Sequence, residues 1–255
     1  MIHRTLLFLA FLIITSNSYF HSQISSGIVL YSQESGANGN VINSKLFFND
    51  KHSLYIQNQA KQETSVKRLS NGTILYPANT IDSIANKPKF VYFDPKDKTF
   101  YNNIINDNFE SLIKDQPTIK WTYLPEFKVI LNYDCQKAEG YLHNKKYIAW
   151  FAKNIPAPYG PLRLNGLDGL ILELYSIDGL LTIKANNIKT EEVNDNINFI
   201  LKDYNFESAL TREQHNELQK KQLLLFQEEL NAKLPEGYNK VTFKDLECSN
   251  CNTSK

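Results

Sequence analysis

Hydrophobic and polar positions alternate in short runs along most of this chain, the two-residue period of half-buried strands. Runs at Ile24–Tyr31, Val41–Phe48 and Ser53–Gln57 come first, the last two closing into a hairpin around Asn49-Asp50-Lys51. A polar stretch follows to Pro88, with one strand candidate at Thr73–Tyr76. Runs resume at Lys89–Phe93, Thr99–Asn103, Phe109–Lys114, Lys120–Tyr123 and Phe127–Asn132, the last two parted by Pro125. Cys135–Leu142 and Lys145–Ala152 make a hairpin around His143-Asn144, and Leu170–Tyr175 and Leu180–Ala185 another around Asp178-Gly179. Asn198–Lys202 reads as a weaker strand. Strand follows strand without intervening helices, so the expected fold is mainly β: a curved antiparallel sheet, half-barrel or sandwich-like.

The period changes once. Thr211-Arg-Glu-Gln214 matches a capping box, in which the Thr side chain and Gln214 each satisfy an otherwise orphaned N–H. Leu218, Leu225, Phe226 and Leu230 then recur near helical spacing until Pro235. A C-terminal helix over 211–233 is expected to pack against the sheet. The organisation is one β-rich domain, 24–246, with a flexible tail at 247–255.

Residues 1–23 are set apart by composition. Arg4 supplies a positive start, Leu6–Ile14 an apolar run, and Thr15–Gln23 a polar exit. That is the pattern of a cleavable signal peptide, and the apolar run is shorter than a membrane-spanning helix requires. No later segment approaches an integral membrane span. The expected product is exported to the periplasm or cell envelope. Taking away Arg4 leaves 27 basic against 27 acidic side chains. So balanced a surface argues against nucleic acid as a partner.

Candidate chemistry is sparse. Cys248 and Cys251 form a C-x-x-C pair whose alternatives are a small-loop disulfide, a metal contact and thiol exchange. His52, His143 and His215 show no spacing that would complete a zinc site with them. Cys135 lies on an expected strand and reads as a small buried side chain, with a bridge to the tail left open. Gly166 and Gly169 bracket Leu167-Asp168, a turn needing close backbone approach or positive φ, with Asp168 as its turn residue. Trp150 and Phe151 are consecutive, so one should enter the core. The other would line a face with Trp121, Tyr147 or Tyr159, the candidate binding residues. The loop 154–161, with three prolines, is expected to blunt a sheet edge, or alternatively to present Tyr159 to a partner. Walker A, G-x-G-x-x-G, G-x-S-x-G and H-E-x-x-H are absent, and neither a cofactor nor a catalytic residue is expected.

Gly166–Glu173, GLDGLILE, resembles the signature that names the GLPGLI family of exported Bacteroidota proteins. The order of further landmarks is similar to that family: Trp121, Lys128-Val-Ile130, Cys135-Gln-Lys-Ala138, Tyr147-Ile-Ala-Trp150-Phe151, Ile155-Pro156 and Gly160-Pro161. The resemblance covers about residues 119–188. The chain departs from it at Asp168, where the family has its eponymous proline, and at Asn144-Lys145, where it has Gly-Arg. The resemblance implies an exported β-rich protein and assigns no chemistry.

The functional expectation is a non-enzymatic binding or carrier scaffold in the envelope, taking a lipophilic ligand or a peptide. Two alternatives stand beside it. One is a protein-interaction module of an outer-membrane transport or surface-assembly complex; the other is metal or thiol handling through Cys248 and Cys251.

Overall fold

The structure is a computed structural model that describes residues 24–36, 40–57, 67–68, 74–75, 87–105 and 110–243. The expected leader and the cysteine tail lie outside the described residues. The strands are β1 (Gly27–Ser35), β2 (Asn40–Phe48), β3 (Ser53–Gln57), β4 (Lys67–Arg68), β5 (Ile74–Leu75), β6 (Lys89–Asp94) and β7 (Thr99–Ile105). They continue as β8 (Glu110–Asp115), β9 (Trp121–Ile130), β10 (Tyr133–Leu142), β11 (Lys145–Ala152), β12 (Leu170–Ser176), β13 (Leu181–Lys189) and β14 (Leu210–Thr211). Two α-helices, α1 (Asn194–Leu201) and α2 (Arg212–Ala232), follow β13 and β14.

The fold is mainly β with a C-terminal helix, as the alternation predicts. Twelve strands form one open, curved sheet in the order β14-β8-β7-β6-β3-β2-β1-β13-β12-β11-β10-β9. Every pairing in it is antiparallel except that of β14 with β8. β4 and β5 pair separately. Strand β1 pairs with β13 as well as with β2, and so joins the N-terminal strands to the C-terminal ones.

A single sheet must cover both of its faces. On the inner face Val29, Tyr31, Leu46, Phe48, Tyr55, Phe93 and Phe100 join Ala138, Ala149, Phe151, Leu174 and Ile183 in one core. The segment that seals this core is the β11–β12 connection, residues 153–169, whose Ile155, Ala157, Tyr159, Leu164 and Leu167 are all buried in it. The proline loop therefore does not blunt a sheet edge. Its composition explains why it can be buried: prolines carry no N–H, so fewer donors need partners. Several of the remaining groups are paired. Ala157 N donates to Ile155 O, Tyr159 N to Ala157 O, Leu170 N to Ile155 O and Ile171 N to Tyr159 O.

On the outer face α1 closes a second core, setting Val193 and Ile197 against Ile28, Phe47, Leu54, Ile56 and Phe90. This corrects the strand expected at 198–202. Val193, Ile197, Ile200 and Leu201 recur at helical spacing, and the stripe outweighs the strand propensity of Ile and Phe. Helix α2 begins as expected, with both bonds of the Thr211–Gln214 capping box formed. It does not pack across the sheet, however. Its main contacts with the sheet are to β8 and β14 at one edge, and His215 is its buried residue. The two strands expected around Pro125 are one, β9, because β9 is an edge strand and its register with β10 shifts around Leu124–Glu126, which leaves the proline outside the ladder.

Close approach of the plug to the sheet requires glycine. A Cβ on Gly169 would lie 2.2 Å from the Ala152 carbonyl oxygen, a backbone atom that has no freedom to yield. Gly169→Ala should therefore destabilise by about 1–3 kcal/mol through overpacking, read from the urea unfolding midpoint.

Candidate functional site

The four aromatic candidates do not form one platform. The ladder pairs Trp121 with Gly140 and Gly140 with Tyr147, so both aromatics lie on the inner face, where the Trp121 ring sits over Gly140. The Trp121 indole N–H donates to Asn165 O at 2.8 Å and so holds the plug from its far side. Tyr159 belongs to the plug itself, 3% exposed, with its ring edge-on to Phe93 at 6.1 Å. It is not presented to a partner.

Trp150 lies on the outer face, in line with Lys137 and Glu173. A register shift between Trp150 and Phe151 lets both be buried, Phe151 inward and Trp150 beneath lysine stems. Lys128 Nζ stands 4.3 Å from the Trp150 ring centroid and also pairs with Glu173 at 2.7 Å. Cys135 is fully buried, and burial pushes its thiol up to about 11, far from the reactivity a nucleophile needs. Cys248 and Cys251 fall outside the described residues. Among the described residues no group of three or more His, Cys, Asp or Glu could hold a metal ion.

The signature turn is a packing device. Gly166 adopts φ +88° and its N–H donates to Pro158 O, which folds the plug back on itself. Leu167 is buried beneath it. Asp168 sits beside Tyr123, whose phenol is held above its ordinary value by burial first and by the Asp168 carboxylate second.

Sequence reasoning missed a cleft of about 620 Å³ between the β8–β14 edge of the sheet and the β10–β11 turn. It is lined by Asp97 and Tyr101 from β7 and its turn, Lys114 and Asp115 from β8, His143 from the β10–β11 turn, and Arg212 from the start of α2. Asp115 is its anchor. Through the single oxygen Oδ2 it accepts from Arg163 Nη1 of the plug at 2.5 Å and from Arg212 Nη2 at 3.0 Å. Its Oδ1 is buried without a partner among the described residues. Leu162, just before Arg163, has φ +59°, and His143 has φ +47°; both are unfavourable conformations for non-glycine residues. The His143 imidazole is held below its ordinary value by burial first, then by Arg163 and Arg212, with Asp115 opposing. No motif could announce this cleft, because its residues come from four separate parts of the chain.

No family model matches the chain, and no curated protein matches it. Among solved structures it is similar to PNGF-II in a C2 crystal form, at 14% identity and TM-score 0.50, covering 73% of this chain and 31% of that one. The P21 form of PNGF-II gives 16% identity and TM-score 0.45, over 66% and 29% of the respective chains. The likeness is one of fold. The matched part spans under a third of PNGF-II's length.

Two outcomes follow from these placements. Trp150→Ala should cost about 3–5 kcal/mol, as for a buried aromatic, in chemical unfolding. Asp168→Asn should lower the Tyr123 phenol toward its ordinary value, because the carboxylate that disfavours the phenolate is gone; a pH titration of tyrosine absorbance against Tyr123→Phe reads the change.

Proposed function

We propose that this chain is a non-enzymatic binding scaffold of the cell envelope, exported as its first residues suggest, and that its partner is a protein segment. The reading rests on one observation: edge strand β9 leaves Phe127 69% and Val129 65% exposed. Both lie on the inner-face side of the ladder, in line with Trp121 and Tyr123, beyond the point where the plug ends. Tyr123 and Leu131 add further exposed apolar surface beside them. Such a row on an edge strand is the chemistry of a protein contact. Its register shift and Pro125 limit simple strand addition, so side chains carry the contact more than the ladder does.

The geometry favours a polypeptide over a lipophilic cargo. A carrier needs an apolar hollow, and here the inner face is filled by the buried residues of 153–169. Lifting out Ile155, Tyr159, Leu164 and Leu167 would forfeit about 1.5–3 kcal/mol for each large side chain exposed. An interaction module of a transport or surface-assembly complex uses the surface that remains.

Native mass spectrometry of the full chain taken from its own envelope tests this. A co-purifying polypeptide is expected, and the Phe127→Ser/Val129→Ser double variant should lose it by about thirtyfold or more in affinity while its unfolding midpoint holds. A retained lipid, or a polypeptide bound equally by the double variant, would refute the proposal.

A further inference from the structure

The cleft beside Asp115 has a property that its structural role leaves over. One carboxylate oxygen holds two guanidinium groups, and each guanidinium spends a single nitrogen on it. An arginine carries five N–H donors in a planar fork suited to gripping an oxyanion with two at once. Arg163 and Arg212 make no other hydrogen bond among the described residues, so most of both forks is unspent. The cluster of two guanidiniums and one carboxylate also keeps a net positive charge, and His143 feels it: both arginines bear on its imidazole against the one opposing acid.

Lys114, Asp97 and Glu213 bring the formal charge of the wider cleft into balance, so the seat rests on directed donors and not on net charge. Glu213 is engaged locally; its carboxyl is held below the usual range by its own backbone N–H first and the Thr211 hydroxyl second. Asp97 accepts from Thr99 N through Oδ1. Lys114 adds a cation to the wall. His143 reaches the cleft from a two-residue turn in which it and Asn144 both have positive φ, at 47° and 61°. Glycine or asparagine would sit there more easily, and strain of this kind concentrates where a side chain has work to do.

We infer that the cleft formed by β7, β8, the β10–β11 turn and the start of α2 is a binding site for a small ligand carrying an oxyanion, seated between Arg212, Lys114 and His143. The ligand's carboxylate or phosphate accepts from the free edge of the Arg212 guanidinium and from the Lys114 ammonium, and His143 supplies an N–H. The volume, about 620 Å³, accommodates a molecule well beyond the anionic group itself. This seat lies between the β8–β14 edge of the sheet and the β10–β11 turn, and shares no residue with the protein contact proposed on β9.

Inorganic phosphate, and citrate as a carboxylate probe, serve for the test. The His143 ring signals of the full chain are followed by NMR across pH at matched ionic strength, with His52 as the internal reference. Binding of the anion should raise the His143 midpoint saturably, since a bound anion favours the imidazolium. Arg212→Gln should weaken binding about tenfold or more. Arg212→Lys, which keeps the charge and loses the fork, should fall between, and His143→Gln should weaken phosphate binding by calorimetry without unfolding the chain. Phosphate and citrate acting no more than chloride, or acting equally on Arg212→Gln, would overturn the inference.

Discussion

The inner face of a twelve-stranded open sheet stays dry because residues 153–169 lie across it, and nearly everything else in this molecule depends on that contact. A sheet of this size cannot bury its face by curvature alone unless it closes into a barrel, and this one has two free ends. The plug supplies the missing layer from within the chain. It does so with a backbone poor in donors and with two glycines, Gly160 and Gly169, where a Cβ would strike backbone oxygens at 2.4 and 2.2 Å. Proline and glycine, the residues that usually mark a surface loop, are here the condition for burying one.

Once the inner face is sealed, the two halves of the outer face are free to differ. Behind β1, β2, β3 and β6, helix α1 adds an apolar layer. Behind β9 to β12 there is no helix among the described residues, and the largest apolar side chain there, Trp150, is roofed by lysine. Lys128 lies on its ring and pairs with Glu173, and Lys137 pairs with Glu126. The aliphatic stems exclude water while the charged heads remain wet. That division leaves exposed apolar surface on the sheet where the plug runs out, at the far end of β9.

Local chemistry made much of the fold legible in the sequence. Asp178-Gly179 and His143-Asn144 mark their turns, Thr211 and Gln214 mark the start of α2, and strand alternation gives the strands of the sheet in chain order. Where the reading failed, tertiary packing outweighed local preference. Asn198–Lys202 carries β-forming residues but serves as the end of a helix whose stripe begins earlier, at Val193. The loop at 154–161 looks like an edge device until its burial is known. The sheet-edge contact of α2, and its exposed Leu224, Leu225 and Phe226, had no local signal at all, because a helix pattern says which side chains share a face and not what covers it.

The cleft could be read from no stretch of sequence, and the reason is physical. Asp115, Arg163 and Arg212 are partly exposed, so as surface ion pairs they contribute little to stability. Their effect is on position. Arg163 reaches Asp115 only when Leu164 and Leu167 are seated under the plug, and Arg212 reaches it only when β14 has paired with β8. The charged cluster therefore depends on a frame that hydrophobic burial holds in place. A site made this way inherits the rigidity of the core while keeping its donors in water, and it exists only in the folded chain.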